Sequence, residues 1–317
     1  MTLSTEDINS LIETQLALWP EAKANFDKLR GCRRKPLEVG ETTLFAQLNP
    51  ARIRSTAAAL DKESISRRAC FLCGENRPKE QLHGELLPGW ELLVNPYPIL
   101  PVHFTIVSKT HRPQSEIPLE MAAMADIAPD LAIFFNGARA GASAPDHMHC
   151  QAVLKSELPI VTLVEQHHDH SYPGFMSSED YGMQLPFHFM SGIITPDAEG
   201  AANLMKCTKA FGIDSATGKK DQGLVNAFFW IDGRGYLRVV IIPRRAHRPQ
   251  CFFNAGNGRL LVSPGALDMA GLLILPIEDD FNRITADDVR RIYSEVAFAD
   301  ALPTSIKAYF TDGCSQA

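Results

Sequence analysis

Apolar positions along the chain fall mostly into short runs broken at turn residues, a pattern of strands joined by loops. Leu131-Ala-Ile-Phe-Phe135 stops at Asn136-Gly137 and predicts a buried strand. Trp90–Val94, closed by Asn95-Pro96-Tyr97-Pro98, and His103–Val107 predict two more. Val225–Ile231, the turn Asp232-Gly-Arg-Gly235 and Tyr236–Ile242 predict a hairpin. Thr42–Leu48 alternates weakly before Asn49-Pro50. Helical spacing places Ile8, Leu11, Ile12, Leu16 and Trp19 on one stripe, with Thr5 as cap and Pro20 as stop. Leu119–Ile127 and Ala201–Phe211 predict two further helices. Val289, Ile292, Tyr293 and Val296 predict another behind a Thr285/Asp288 capping box. Val161–Val164 is one more apolar run, Ser177–Gly200 reads as a loop suited to a lid, and Asp214–Gly223 as a polar turn.

Chemistry concentrates after the Leu131 strand. Residues 136–146 are rich in Gly, Ala and Ser, which lets backbone approach a ligand closely. His147, His149 and Gln151 then recur at every second position, so on a strand they share one face. Beside a loop of exposed N–H groups, such a face suits phosphate chemistry. The plainer alternative is a half-buried strand whose alternation happens to fall on these residues, although burying polar groups is costly.

Cys70-Phe-Leu-Cys73-Gly74 has the form of a knuckle that holds two thiolates on one zinc. No second Cys-x-x-Cys exists, so the remaining ligands must be histidines or carboxylates, with His83, His111 and His147 as candidates. A redox pair or two buried thiols is the alternative. His167-His168-Asp169-His170 is suited to a second metal or is a solvated loop. Arg52, Arg54, Arg67 and Arg68 lie in a polar connection from which an arginine could reach a phosphate.

His111-Arg-Pro-Gln114 recurs as His247-Arg-Pro-Gln250. Each copy follows an apolar strand and has a basic residue two positions before the histidine, which predicts an internal duplication. Only the first half carries His-x-His-x-Gln and Cys-x-x-Cys, so residues 1–158 read as the catalytic half and 159–317 as a degenerate copy that supports the fold and contributes binding groups.

Composition narrows the setting. With 317 residues, 45% hydrophobic and 21% charged, the chain is an ordinary globular one of one large or two smaller domains. A net charge of −6 gives no footprint for nucleic acid. Apolar runs such as 271–276 are too short to span a bilayer, and no basic-then-apolar leader opens the sequence. Seven scattered cysteines argue for a reducing compartment, so a cytoplasmic protein is expected.

Asn136…Gly141-x-Ser143…His147-x-His149-x-Gln151 resembles the signature of the galactose-1-phosphate uridylyltransferase branch of the histidine-triad superfamily, which includes diadenosine tetraphosphate phosphorylases and GDP-hexose phosphorylases. Leu92–Val107, with Asn95, is similar to the nucleoside-binding strand pair of the phosphorylases. The resemblance is good over residues 68 to 155 and is in outline only beyond. It implies an α+β, histidine-triad-like fold of two duplicated halves, each an antiparallel sheet with helices against it. It implies a structural zinc on Cys70, Cys73, His111 and His147.

The implied activity is nucleotidyl transfer or phosphorolysis on a nucleotide sugar or dinucleoside polyphosphate, with a phosphate-type acceptor. His149 would be the nucleophile and form a covalent nucleotidyl intermediate. Gln151 would donate a hydrogen bond to the phosphoryl oxygen, together with backbone near Gly141 and Ser143. Asn95 would bind the ribose and Asn136 would orient the His149 strand or the imidazole itself. In the hydrolase branch a third histidine stands where Gln151 does, so glutamine implies transfer. Ala144 replaces a phosphate-contacting serine of many relatives, and Cys150 replaces the usual Gly or Leu. Two other readings are a non-catalytic nucleotide-binding protein that retains the zinc-stabilised fold and a zinc hydrolase, which would need an open metal position. The duplication allows a monomer as well as a homodimer, and neither nucleic acid nor membrane is an expected partner.

Overall fold

The strand Leu131–Asn136 is buried at all six positions, which demands cover on both faces. In the computed structural model, which describes residues 2–57, 65, 67–167, 174–179, 185–195, 197, 200, 202, 223–304 and 306–307, it lies near the middle of a nine-stranded sheet. The described strands are β1 (Arg33–Val39), β2 (Thr42–Leu48), β3 (Gly84–Leu87), β4 (Trp90–Val94), β5 (His103–Ser108), β6 (Leu131–Asn136), β7 (His149–Leu154), β8 (Gly174–Ser177), β9 (Met190–Ile194), β10 (Val225–Ile231), β11 (Leu237–Pro243) and β12 (Leu272–Leu275). The large sheet has the order β3-β4-β5-β7-β6-β10-β11-β9-β8 and is antiparallel throughout. A small sheet, β1-β2-β12, has β12 parallel to β2. The architecture is α+β, as expected.

Two related halves meet at the β6–β10 pair, where Phe134 stands opposite Phe228 and Phe135 opposite Ala227. Outward from that seam, β7 mirrors β11, β5 mirrors β9 and β4 mirrors β8. Chain order repeats too: a hairpin, then a second strand pair that reaches the seam. The His-Arg-Pro-Gln copies do not follow this symmetry. His111 follows β5, whereas His247 follows β11, the counterpart of β7. The copies share a local context, an apolar strand running into a basic turn, and not a place in the sheet.

Alternation on the central strands divides two cores. Ala132, Phe134, Phe228 and Trp230 face one core, with Leu44, Leu48 and Leu275 of the small sheet and Val289 and Ile292 of the helix Ala286–Val296. Leu131, Ile133 and Phe135 face the other, with Ile8 and Ile12 of the helix Thr5–Leu18 and Met121 and Met124 of the helix Met121–Ile127. On β7, Val153 joins the first core while Cys150 and Ala152 join the second. His149 and Gln151 therefore point to the small-sheet side, and Cys150 is a packing residue.

Several expectations change. Ser4, not Thr5, caps the first helix through a capping box with Asp7, and a second helix, Pro20–Leu29, begins at the proline that was expected only to end the first. β1 was not expected, because the polar sequence Arg33-Arg-Lys-Pro-Leu-Glu-Val39 belongs to a largely exposed edge strand. Val161–Val164 lies within the helix Pro159–His167, and the expected loop 177–200 contains β9. The Thr285/Asp288 box is as expected. The expected helix 201–211, apart from Ala202, the turn up to residue 222 and His168-Asp169-His170 lie outside the described residues.

The β10–β11 turn is built on Asp232. Its carboxylate accepts from the backbone N–H of Arg234 and Tyr236, each at 2.9 Å, and from Arg238 Nε at 2.7 Å. Arg238 is fully buried, so removing its carboxylate partner leaves a charge in the core. Asp232→Ala is expected to cost about 3–5 kcal/mol of folding stability, read as the shift in urea midpoint. A loss below about 1 kcal/mol would show that the pair does not hold the hairpin.

Candidate active site

The β6–β7 ladder runs from Leu131 opposite Leu154 to Phe134 opposite Gln151, and there the strands part to admit loop 137–148. Backbone groups at the parting need other partners. Gln114 supplies them. Its Nε2 donates to Asn136 O at 2.9 Å and His149 O at 2.8 Å, and its Oε1 accepts from His149 N at 2.8 Å. The buried amide thus takes the place of a missing stretch of ladder and fixes the backbone of His149.

The ring of His149 is buried and its Nδ1 lies 2.8 Å from His147 O, the carbonyl two residues earlier. A carbonyl only accepts, so Nδ1 carries the proton and Nε2 keeps its lone pair. Burial pulls the pKa down to about 4, which keeps the ring neutral. Gln151, two residues on, is oriented by His103. Ile99 N–H donates to His103 Nδ1 at 3.0 Å, so His103 Nε2 bears the proton and donates to Gln151 Oε1 at 2.7 Å. With its oxygen so engaged, Gln151 turns its NH2 away from His103. Burial first, then the nearby Arg52, lower the His103 pKa to about 3.

Gln151 lines a cleft of about 680 Å³, part of it open to solvent, between the large sheet and the segment 263–268, which enters the short helix Ala266–Met269. Asn136, Gly141, Ala142 and Ser143 form one wall; Arg52, His247 and Arg248 are on others. Gly141 is indispensable to the shape. Its φ is +98°, and a Cβ there would sit 2.4 Å from Gly265 Cα. Asn136 Oδ1 accepts from Ala266 N at 2.7 Å and Asn226 Nδ2 at 3.1 Å, so this side chain ties the end of β6 to the opposite wall. His149 lies beside Gln151 on the same strand face and does not itself line the cleft.

Beside the start of β7, Cys70, Cys73, His111 and His147 bring their donor atoms within 4.8 Å of one another. Cys70 Sγ lies 3.2 Å from His147 Nδ1, and Cys73 Sγ lies 3.2 Å from His111 Nδ1. A tetrahedral zinc with two sulfur and two nitrogen ligands needs donor separations of about 3.3–3.8 Å. His147 Nε2 is engaged by Ser108 O at 2.8 Å, which leaves Nδ1 as the donor facing the thiols. The residues present therefore fit a zinc ion. His83, the other candidate, pairs with Glu91 at 3.0 Å and is not in the group. Ala144 packs against Cys70, Leu72 and Val107, where a serine hydroxyl would meet an apolar cluster.

The structure thus gathers His149, Gln151, Asn136, Gly141 and Ser143 at one place and the four metal-ligand candidates at another. Asn95 stands apart from the cleft lining. Its Oδ1 accepts from Tyr97 N at 2.9 Å and its Nδ2 donates to Thr105 Oγ1 at 3.2 Å. Sequence reasoning missed His103, Gln114 and His247. His103 and Thr105 alternate on a strand otherwise apolar, which was the available signal.

A family model described as a domain of unknown function, DUF4922, matches residues 11–154, less than half the chain. No curated protein matches the sequence. Among solved structures, yeast Ap4A phosphorylase Apa2 is similar at 13% identity with a TM-score of 0.57, covering 90% of this chain and 98% of that one. The same enzyme in complex with Ap4A gives 15% identity, a TM-score of 0.56 and coverage of 92% and 99%. In complex with AMP it gives 12%, 0.53, and 88% and 96%. At this identity the likeness shows a shared fold.

Gln114→Leu is expected to leave three buried backbone groups unpaired and to cost at least about 3 kcal/mol in urea unfolding. A near-neutral effect would show that the strands close without the amide. His103 gives a pH signature. Its folded pKa lies below the ordinary 6.5, so its contribution is full above that pH and is lost as pH falls toward 3. Stability between pH 7 and 4 should fall less steeply in His103→Gln than in the parent; equal slopes would contradict the buried neutral imidazole.

Proposed function

We propose that the chain is a nucleotidyltransferase of phosphorylase type, acting on a dinucleoside polyphosphate or nucleotide sugar through a covalent nucleotidyl-His149 intermediate. The observation that carries this reading is the tautomer of His149. With its Nδ1 proton held by His147 O, Nε2 is left as a neutral nitrogen nucleophile. Nε2 forms a bond to the α-phosphorus, and the P–O bond to the leaving phosphate breaks with the electron pair going to that oxygen. A phosphate-type acceptor then attacks the same phosphorus, and the P–N pair returns to Nε2. While the adduct exists the ring is positively charged, and the His147 carbonyl stabilises it. Gln151, its oxygen held by His103, offers its NH2 to the phosphoryl oxygen where negative charge builds.

The fold shared with a yeast enzyme named as an Ap4A phosphorylase, found with Ap4A and with AMP, supports a nucleotide substrate. Gly141, Ser143 and Asn136, which line the cleft, are assigned to the phosphates, and Asn95 on the β4–β5 pair to the ribose. Zinc on Cys70, Cys73, His111 and His147 would be structural, since four protein ligands leave no position for a reacting water. Its part is to pin the 70–73 knuckle to the loop that leads into β7.

Ping-pong kinetics are expected, with exchange of the labelled leaving group back into substrate in the absence of acceptor. Gln151→Ala should lower kcat by about 10²–10³-fold. His149→Ala should abolish exchange; exchange at the parent rate would sink the covalent route. Nucleotide binding without exchange over a broad substrate panel would instead favour a binding protein. Metal analysis should find one zinc per chain, and Cys70→Ala should lose both the zinc and the folded near-UV signal. A fully folded, zinc-free Cys70→Ala protein would contradict the structural assignment.

A further inference from the structure

The cleft wall opposite Gln151 comes from the second half of the chain. Arg244, buried at the end of β11, fixes the segment that follows. Its Nη1 donates to Asn226 Oδ1 at 2.7 Å and Pro264 O at 3.0 Å, its Nε to Val296 O at 3.0 Å, and its Nη2 to the carbonyls of Ala246 and His247 at 3.2 and 3.3 Å. Arg248 is held in turn by Ser263 Oγ at 2.9 Å and Thr56 O at 3.2 Å, and it stacks 4.1 Å from the Phe252 ring centroid. On this braced segment His247 presents to the cleft a ring whose Nε2 is buried and has no hydrogen-bond partner. A buried, unpartnered nitrogen beside a polar cleft is costly unless a ligand completes it.

The charge of the cleft says which ligand. Arg52 and Arg248 line it, and the charges of Arg244 and Arg139 also act on His247. The acid lining it, Asp268, already accepts from Gly265 N at 2.9 Å and Ile274 N at 2.8 Å. Burial, followed by Arg248, Arg244 and Arg139, lowers the His247 pKa to about 4, so the environment resists a second cation and favours an anion. The His111 copy of the tetrapeptide belongs to the metal-ligand group; Gln250, counterpart of the clamping Gln114, is exposed and bonds to Asn254. The second copy has thus kept its histidine in a different use.

We infer that His247, backed by Arg248 and facing Arg52, is a subsite for the phosphates that are not transferred: the outgoing or incoming polyphosphate end of the substrate. Through His247 Nε2–H donating to a phosphate oxygen, the second half of the chain would help to recognise substrate. The identity of the ligand rests on the nucleotidyl-transfer reading, but the anion site itself does not.

The test uses inorganic pyrophosphate and tripolyphosphate as probes, titrated calorimetrically into the full-length protein. Parent protein should bind tripolyphosphate once per chain, more tightly than pyrophosphate. His247→Ala should weaken binding at least tenfold, and His247→Phe, which preserves ring volume without the nitrogens, should weaken it as much. Lys23→Ala, on the helix Pro20–Leu29 away from the cleft lining, should bind as the parent does. Binding unchanged in both His247 variants, or no binding to the parent, would overturn the inference. Because the readout needs no turnover, polyphosphate binding that depends on His247 with no nucleotidyl adduct would fault the enzymatic reading alone. An adduct that forms while the His247 variants bind polyphosphate normally would fault this inference alone.

Discussion

A sheet that parts at one point must find other partners for the backbone it frees. Here that point is the end of the β6–β7 ladder, and the partner is the side chain of Gln114. Everything chemical in the first half hangs from this substitution. The parted strands make room for loop 137–148, which carries Gly141 and Ser143 to the cleft and His147 back to the cysteines. The same amide holds His149 by both its N–H and its carbonyl. The ring of His149 is thus fixed at its backbone, neutral by burial and held in one tautomer by the His147 carbonyl, so under the proposed chemistry it would lose little freedom on reaching a reactive geometry.

Two-residue periodicity made the central part of this arrangement legible in the sequence. His149 and Gln151 could be placed on one strand face because alternation is a local property, whereas His147, expected on the same strand, lies in the loop just before β7. Cys70-x-x-Cys73 was legible because a knuckle is a local turn. The capping box at Thr285 and the Asp232 hairpin were legible for the same reason. What failed depended on partners distant in sequence. β1 is polar because it lies at a sheet edge, and β9 was hidden in a segment rich in turn residues. His103 orients Gln151 across the β5–β7 register, and Gln114 acts where β6 and β7 separate. His247 reaches the cleft only because the halves join at the β6–β10 seam. Choosing His111 over His83 for the metal group came from family resemblance, and spacing alone left both open.

The internal symmetry shows how the two halves diverged. Their strands mirror each other about the β6–β10 pair, yet β11 has no His-x-His-x-Gln where β7 does. It ends instead in Arg244, whose buried guanidinium organises the opposite wall by hydrogen bonds to five acceptors. Asn136 and Asn226, adjacent across the seam, tie the walls together. One half therefore carries His149 and Gln151, and the other supplies a braced, cationic wall of the cleft that Gln151 lines. The repeated His-Arg-Pro-Gln, read from sequence as the mark of duplication, is a local recurrence whose two histidines occupy unrelated places, one among the metal-ligand candidates and one on the cleft.

The most direct measurement is peptide mass spectrometry after brief incubation with a dinucleoside polyphosphate or nucleotide sugar, in the absence of acceptor and with digestion at alkaline pH. The account predicts one added nucleoside monophosphate, on the peptide containing His149 and localised to that residue. An adduct confined to another residue, or turnover of substrate with no adduct on His149 at any time sampled, would contradict it.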